Sequence, residues 1–488
     1  MAVATLGRRD FLRLGGGLAA VPLIGMTVAG CTDPSATPAG DDAGSQAKVD
    51  AGPPPETGAA VAFDPQAVPL DAVRFALGVQ IGSLRAHTGI AWGHTEGKEA
   101  AVLRVWRALD APGAAGQVHL AVDKAIEPAD GYLKTLLAGM RAGTAYQYAW
   151  FAADFSARSD IGRFRTAFAP GIVAPVTVGA TACTRPNFAP FVALTRTAEL
   201  GPDVFCHLGD MVYNDSAVVQ ADYRSRWRKA LQDPGYRAVL GSCGTYQTWD
   251  DHEVTNDTKR YVMDPAQKSV ALDAFFETLP IPRMAGNRFY DSYRWGASVE
   301  FFVLDCRGER QPESRLTEDP IYLSKAQLAW LQEGLAKSPC HFKVVLNSVP
   351  IIQFPELWFN WPDRWQGYAK QRDALLDHIT AQGIRNVWFL AGDLHVGVVA
   401  RIEIDGPRSK MFEILCGPGG NQNPIAKALM SDPDLLAQAT PTAQFLHASM
   451  DIATTLLTFD PATDSVRVRF VDPVTGLATY DAVLKQPV

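Results

Sequence analysis

Two patterns of hydrophobic and polar positions follow one another along this chain. Between about residues 73 and 168, short segments alternate apolar and polar side chains, as in QVHLAVD at 117–123 and AYQYAWF at 145–151, and glycines and prolines separate them. Such alternation is typical of half-buried strands. From about residue 172, continuous apolar runs alternate with helical patterns. The pattern therefore predicts an all-β region followed by a layered α/β region.

The second region has helical signals between its apolar runs. Ser324 is a plausible N-cap, and Leu328, Leu331 and Leu335 then repeat on one helix face. Another helix is predicted over 371–382. The runs predicted as strands are PVTVGATA, DVFCHLGD, TYQTWDD, VEFFVLDC, FKVVLNSV, NVWFLAGD, KMFEILCG, TLLTFDP and SVRVRFVD.

These patterns divide the chain into four parts. Residues 1–31 read as a signal segment, and residues 32–68, rich in Pro, Ala, Gly, Asp and Ser, read as a disordered linker. Residues 69–169 are predicted to form an immunoglobulin- or fibronectin-like β-sandwich, since LLAGMRAGTAYQYAW resembles a fibronectin-type pattern. Residues 170–488 are predicted to form an α+β domain with a layered αββα arrangement.

The N-terminal segment predicts export. GRRDFLR at 7–13 has paired arginines before a short, glycine-rich apolar stretch, which is typical of a twin-arginine signal. Val28-Ala29-Gly30-Cys31 resembles a bacterial lipobox, in which Cys31 becomes lipidated. We expect a periplasmic or cell-surface protein held at the membrane by a lipid on Cys31. The alternative is an ordinary secretion signal with an incidental cysteine.

Charge and cysteine content narrow the possible ligands. The 488 residues have a net charge of −7, and no basic run is present that would follow a phosphate backbone, so specific nucleic-acid binding is not expected. Anionic substrates have to be attracted locally. Six cysteines besides Cys31 show no short-spaced framework, which favours buried free thiols.

Polar residues collect where predicted strands end. If the strands are neighbours, these side chains converge on one small volume, and the carboxylates repel one another unless cations hold them together. The sequence therefore predicts a metal centre. The residues concerned are Cys183; Asp210 and Tyr213; Asp250, Asp251, His252, Glu253, Asn256 and Asp257; Asn347; and Asp393 and His395.

Several of these motifs resemble a known family. GD-x-x-Y at 209–213, DHE at 251–253 and GD-x-H at 392–395, in this order, resemble the calcineurin-like metallophosphoesterases. WDDHEVTND, GDMVY, FFVLDCR and DRWQGY are similar to the PhoD-type alkaline phosphatases. The export signal and the β-rich region also match the layout of that family.

The resemblance implies two metal sites that share Asp210. The first site would hold ferric iron, and the second would hold calcium, with magnesium or manganese as alternatives. A phenolate ligand suits a strongly Lewis-acidic ion, and an all-oxygen set suits calcium. The implied ligands are Cys183, Asp210, Tyr213 and His395 at the first site and Asp210, Asp251, Asn347 and Asp393 at the second.

The same resemblance implies catalytic roles. A hydroxide that bridges the metals would attack phosphorus, and His252 would protonate the leaving alkoxide. Arg185 and Arg307 are candidate clamps for phosphate oxygens, because a guanidinium matches phosphate bidentately. Asn256 is a further candidate contact to substrate or calcium.

Three functions remain open at this point. The first is a metal-dependent phosphomonoesterase, an alkaline phosphatase that acts on phosphate esters outside the cytoplasm. The second is a phosphodiesterase, including a phospholipase-D-like hydrolase, that uses the same metals. The third is a surface lipoprotein that binds ligands without catalysis, and the intact set of candidate ligands argues against it.

Overall fold

The computed structural model describes residues 60–109, 116–256, 265–355, 363–422, 427–428 and 430–487. The predicted signal segment 1–31 and the first part of the predicted linker lie outside these residues. Residues 48–488 form one compact unit. No helix within the described residues is both long and apolar enough to cross a membrane.

Strands dominate the described chain. Their bounds are β1 Ala60–Ala62, β2 Val79–Gly82, β3 Gly89–His94, β4 Ala101–Arg107, β5 Gln117–Ile126, β6 Tyr132–Leu137, β7 Ala145–Ala152, β8 Gly162–Arg165, β9 Val176–Thr184, β10 Val204–Leu208, β11 Gly244–Thr248, β12 Asp291–Trp295, β13 Val299–Val303, β14 Phe342–Leu346, β15 Val387–Ala391, β16 Gly397–Arg401, β17 Phe412–Leu415, β18 Pro418–Gly420, β19 Phe445–Ser449, β20 Thr454–Asp460, β21 Ser465–Val471 and β22 Ala478–Leu484.

Helices lie between the strands from residue 192 onward. Ser324 caps one of them as predicted, because its hydroxyl accepts a hydrogen bond from the backbone N–H of Gln327. The helix predicted over 371–382 is also present, two residues earlier at its start. The bounds are α1 Val192–Leu200, α2 Gln220–Leu231, α3 Pro234–Leu240, α4 Pro265–Thr278, α5 Lys325–Lys337, α6 Ala369–Ala381 and α7 Pro433–Ala439.

The strands form three sheets. A five-stranded sheet has the order β1-β5-β4-β7-β8, and a seven-stranded sheet has the order β12-β13-β14-β15-β17-β16-β19. A ten-stranded sheet has the order β22-β21-β20-β9-β10-β11-β2-β3-β6, with β18 paired to β9. Strands β9, β10 and β11 pair in parallel, so their carboxyl ends meet at one edge.

The two large sheets pack face to face. Val178 and Leu457 of the ten-stranded sheet share one buried cluster with Phe301 and Trp388 of the seven-stranded sheet. Successive residues of a strand point to opposite faces, so Phe302, next to Phe301, belongs to another cluster. This alternation makes the interior between the sheets apolar.

Helices cover the two outer faces. Leu331 of α5 and Leu375 of α6 pack with Phe302 against the seven-stranded sheet. On the opposite side, Leu194 of α1 and Trp227 of α2 cluster around the ten-stranded sheet. The predicted αββα layering is therefore confirmed.

The region before residue 170 is joined to the rest of the chain by strand pairing. β2 pairs in parallel with β11, so β2, β3 and β6 extend the large sheet, and the five-stranded sheet packs on them, with Trp150 of β7 donating to the Trp92 carbonyl of β3 at 3.2 Å. β1 lies inside the stretch 32–68 that was predicted as linker, and it pairs with β5. The described elements over 69–169 are strands, as predicted, but an independent immunoglobulin-like domain is not confirmed.

Candidate metal centre

Four candidate ligands have an unusual backbone conformation at the ends of strands. Cys183 has a φ of 59°, Asp210 58°, Asp393 66° and His395 55°. Non-glycine residues seldom adopt this left-handed region, and such residues are concentrated at functional sites.

Two groups of side chains lie close enough to hold a metal ion. Cys183, Asp210 and His395 form the first group, and Asp210, Asp251 and His252 form the second. Within each group the ligand atoms lie within 4.8 Å of one another. Asp210 belongs to both groups, which is the position that a bridging carboxylate would take. The two groups come from turns that lie far apart in the sequence.

Tyr213 lies beside the first group. Its hydroxyl donates to Asp210 Oδ2 at 3.3 Å and accepts from Asn421 Nδ2 at 2.8 Å. The same Asn421 nitrogen lies 2.9 Å from His395 Nε2. Asn421 thereby holds the phenol and the imidazole together, which orients both toward Asp210.

His252 belongs to the second group and is held on two sides. Its Nδ1 is 2.5 Å from Asp215 Oδ1, and its ring packs on Tyr213 with 4.1 Å between ring centroids. Burial disfavours the charged imidazole, but the hydrogen bond to Asp215 and the charge of Asp251 outweigh it, and the pKa of His252 is raised.

The acidic groups around Asp210 require a cation to balance their charge. Burial raises the pKa of the Asp210 carboxyl well above its ordinary value, and the neighbouring charges of Asp251 and Asp250 raise it further. Burial followed by the charge of Asp210 also raises the pKa of the Cys183 thiol and of the Tyr213 phenol. Positive ions between these groups would reverse all three effects. The residues present therefore fit metal ions.

Glu253 fixes the two acidic turns to each other. Its Oε2 accepts the backbone N–H of Asp210 at 3.1 Å and of Asp250 at 2.9 Å. Its Oε1 accepts the N–H of Met211 at 2.6 Å. One buried carboxylate thus sets the separation between the turn after β10 and the turn after β11, and so positions Asp210 relative to Asp251.

Arginines balance the carboxylates on the opposite side of the centre. Arg307 is buried; its Nε contacts Asp250, and its terminal nitrogens lie 2.8 Å from Asp363 and 3.5 Å from Asp393. Arg364 also pairs with Asp393. Nothing in these contacts supports the predicted role of Arg307 as a phosphate clamp.

The negative charge of the Asp250 carboxylate is only partly balanced. Burial raises its pKa to about 8, although Arg307 lowers it, and its Oδ2 has no hydrogen-bond partner among the described atoms. Asp393 and His395 were assigned to different sites, His395 to the first and Asp393 to the second. Their surroundings differ in the structure, because Asp393 faces two arginines whereas His395 faces Cys183 and Asp210.

Asn347 follows β14 as predicted but has other partners. Its Oδ1 accepts from the Cys306 thiol at 2.8 Å and from Trp365 Nε1 at 3.3 Å, while its Nδ2 lacks a partner among the described residues. To present this oxygen to a metal ion, Asn347 would have to give up both contacts. Its role as a ligand stays a prediction.

Arg185 lies at the mouth of the centre. It is exposed, and its guanidinium carbon is 5.8 Å from the centroid of the Tyr213 ring. Asn256 is also exposed, and its backbone N–H donates to Asp215. Asp257 lies outside the described residues. Arg185 is therefore the described arginine best placed to meet a ligand that approaches the first group.

Supporting residues were harder to find from the sequence than candidate ligands. Asp215, Asn421 and Arg364 were not predicted, although Asp215 lies in LGDMVYND and Arg364 in DRWQGY, both within motifs already quoted. His207 of β10 is buried against the hydroxyls of Tyr236 and Thr184, outside both ligand groups of the described chain.

The buried thiols agree with the prediction made from cysteine spacing. All the cysteines in the described residues are free and buried, and they include Cys183 of the first group and Cys306 beneath Asn347. No disulfide therefore links the described strands. Packing, hydrogen bonds and ion pairs hold the described turns of the centre in place.

Known proteins are similar to this chain in sequence and in fold. A family model described as PhoD-like phosphatase matches residues 177–455. Alkaline phosphatase D of Bacillus subtilis (strain 168) is 24% identical in an alignment 345 positions long, which covers 59% of this chain and 58% of that protein. The aligned part therefore spans less than two thirds of the length of that relative.

Two solved structures have the same fold. One, described as the structure of PhoD, superposes with a TM-score of 0.70 at 19% identity and covers 85% of this chain and 89% of its own. The purple acid phosphatase PPD1 from yellow lupin superposes with a TM-score of 0.59 at 12% identity, with 83% and 74% covered. The family model covers more than half of the chain, and it includes the turns that carry Cys183, Asp210, Asp251 and His395. The chain therefore belongs to the PhoD-like phosphatase family.

Proposed function

We propose that this protein is an exported, metal-dependent alkaline phosphatase that hydrolyses phosphate monoesters and also accepts diesters. The observation that carries the proposal is the shared position of Asp210 in two groups of potential ligands. Two adjacent cations are the arrangement used for in-line displacement at phosphorus. Membership in the family and the phosphoesterase fold support the same reaction class.

The donor atoms favour different metals at the two sites. A thiol, a phenol, an imidazole and a carboxylate surround the first site, and ferric iron suits that mixed set. The second site is proposed to use Asp210, Asp251, Asn347 and Asp393, an oxygen set that suits calcium and also accepts magnesium or manganese. When bound, such ions would supply Lewis acidity toward the phosphoryl oxygens and would activate water.

His252 is proposed as the general acid. Asp215 holds its Nδ1, which leaves Nε2 as the nitrogen that can deliver a proton to the leaving oxygen. The Tyr213 ring restricts rotation of the imidazole. Both contacts keep the proton beside the ligand group that Asp210 and Asp251 form with His252.

Arg185 is proposed to bind phosphoryl oxygens. Its position over Tyr213 places a guanidinium at the entrance to the first group without burying it. A guanidinium donates two parallel hydrogen bonds to a phosphate, so it would orient phosphorus as well as neutralise charge. The protein has a net charge of −7, so this local attraction matters for an anionic substrate.

Export and lipid anchoring are part of the proposal and rest on residues outside the described chain. The paired arginines Arg8 and Arg9 support the twin-arginine route, and Cys31 supports lipid attachment at the membrane. Twin-arginine export passes folded proteins, which suits a protein that binds its metals before it leaves the cytoplasm.

Metal analysis with a visible spectrum, combined with rate measurements, tests the proposal. We expect iron and calcium in the purified protein and hydrolysis of both 4-nitrophenyl phosphate and bis(4-nitrophenyl) phosphate, faster for the monoester. Tyr213→Phe should abolish a phenolate-to-iron charge-transfer band. Tyr480→Phe is the matched control. Tyr480 lies in the edge strand β22 and packs on His447, outside both ligand groups, so its substitution should leave the band unchanged. Full activity of metal-free protein would overturn the proposal.

A further inference from the structure

A cleft of about 390 Å³ opens next to the metal centre, and neither ligand group accounts for it. Tyr213 belongs to its wall, and the hydroxyl of the same residue reaches Asp210. Thr184, also in the wall, follows Cys183 and donates its backbone N–H to the Asp210 carbonyl at 3.0 Å. The cleft therefore starts at the wall of the first ligand group. Its volume is typical of small-molecule sites.

The floor of the cleft is apolar. Phe191, Val212 and Ala230 line it and are buried, and Pro186 and Ala189 extend it toward the surface. An apolar floor provides no partner for a sugar hydroxyl or a chain of charges, but it packs well against an aromatic or aliphatic body.

The rim of the cleft is positively charged. Arg226 and Lys229 are three residues apart on α2, so they lie on one helix face, and both line the cleft. Arg226 is held in place by the Tyr213 carbonyl at 3.3 Å and the Ser216 hydroxyl at 2.7 Å. Lys229 is exposed. A guanidinium has five N–H donors, so these two contacts leave others for a ligand.

The single carboxylate among the lining residues does not cancel this charge. Asp233 is buried, and its oxygens accept the backbone N–H groups of Gly235 at 2.8 Å and Phe191 at 3.3 Å. It serves as the N-cap of α3. A ligand in the cleft therefore meets two cations and an apolar floor.

We propose that this cleft is the subsite for the alcohol part of the substrate, and that it favours phosphate esters whose alcohol combines an apolar or aromatic body with a second anionic group, a carboxylate or a further phosphate. The inference rests on the proposed phosphatase function and adds its substrate class. Lys229 and Arg226 are specificity residues in this arrangement, and Phe191 supports the body of the alcohol.

Two matched esters test the inference on the metal-loaded enzyme. Phenyl phosphate and 4-carboxyphenyl phosphate differ by one carboxylate in the alcohol. We expect kcat/KM to be about tenfold higher for the carboxylated ester, the effect of one charge-assisted hydrogen bond. In Lys229→Met this ratio should fall to near one, mainly through KM, and Lys229→Arg should restore it. Lys337→Met, which removes an equal charge from the exposed face of α5, should leave the ratio at the wild-type value.

A binding measurement tests the cleft independently of phosphate-ester hydrolysis. Ligand-observed NMR should detect binding of 4-hydroxybenzoate, the alcohol product, to wild type and to Lys229→Arg but not to Lys229→Met. A wild-type ratio near one, or a raised ratio that Lys229→Met leaves unchanged, would overturn the subsite. If neither ester is hydrolysed, the proposed function fails, and binding of 4-hydroxybenzoate still decides the subsite.

Discussion

The two sides of the metal centre hold their carboxylates in opposite ways. On the acidic side, formed by Asp210 and Glu253, the contacts among the described residues are backbone N–H groups and the Tyr213 hydroxyl. On the arginine side, formed by Asp363 and Asp393 with Arg307 and Arg364, each carboxylate meets a guanidinium.

The difference appears in the proton affinities of the two sides. Burial and neighbouring carboxylates raise the pKa of Asp210 well above its ordinary value. Burial would also raise the pKa of Asp363, but Arg307 and Arg310 hold it at about 2. The arginine side is balanced by the protein itself, whereas the acidic side needs positive charge from outside. We infer that the acidic side depends on metal ions for its charge balance, whereas Asp393, the proposed metal ligand on the arginine side, already has arginine partners.

The largest expected effect follows from removing the shared charge on the acidic side. Asp210→Asn should lose metal at both sites. It should lower the phosphatase rate by more than about 100-fold, which is the upper loss expected when a residue that only orients a ligand is removed. Because repulsion is relieved, the metal-free variant should be more stable than metal-free wild type, by about 0.5–2 kcal/mol. Metal content, rates and urea unfolding measure these outcomes.

Asp203→Asn is the matched control for that substitution. Asp203 lies just before β10 and accepts the backbone N–H of Thr177, whereas Asp210 lies just after the same strand. The control should keep both metals and its activity. A metal-free Asp210→Asn protein that is less stable than metal-free wild type would contradict the view that this side is short of positive charge.

A smaller but still large effect is expected on the arginine side. Arg307→Met should lower the free energy of unfolding of the metal-free protein by about 3–5 kcal/mol, because the buried Asp250 and the partly buried Asp363 and Asp393 lose a partner. Arg467→Met, which breaks an exposed pair with Asp481, should cost less than about 1 kcal/mol. If urea unfolding gives equal losses for the two variants, Arg307 is not the partner that balances the arginine side.

The smallest of the three effects concerns the spacing of the acidic turns. Glu253→Gln keeps the shape of the side chain but turns one acceptor toward backbone N–H groups into a donor. Metal affinity should fall by about 10–100-fold, as for other residues that orient ligands. Titration of metal-free protein with calcium and ferrous or ferric iron, followed by rates, measures the loss.

Glu413→Gln controls for the loss of such hydrogen bonds in general. Glu413 is buried and accepts the backbone N–H groups of Ile351 and Ile352 between 2.8 and 3.1 Å, outside both ligand groups. It should lose stability yet keep wild-type metal affinity. Equal metal affinity in the two glutamine variants and the wild type would remove Glu253 from the list of positioning residues.

Local patterns were sufficient for the secondary structure around the centre. The runs that end near Cys183, before Asp210 and before Asp250 are strands, and nearly all of their residues are buried, as in parallel sheets covered on both faces. The prediction of a separate sandwich over 69–169 was not confirmed for a physical reason. The pairing of β2 with β11 joins residues more than 150 positions apart, and alternation within a strand carries no information about its partner.

The candidate ligands could also be identified from the sequence, but the residues that each of them contacts in the fold could not. The stretch TWDDHEVTND contains carboxylates of one chemical type, yet Asp250 meets Arg307, Asp251 belongs to a ligand group and Glu253 binds backbone N–H groups. These differences arise from residues brought close by the fold.

The sequence by itself determined the layered α/β class, the strand-end positions of the candidate ligands and the family resemblance, because apolar runs and short motifs are local properties. Only the tertiary structure decided which carboxylates are balanced by arginine and which remain in need of a cation. Charge balance in a buried site depends on distances between side chains from separate strands, and folding alone sets those distances.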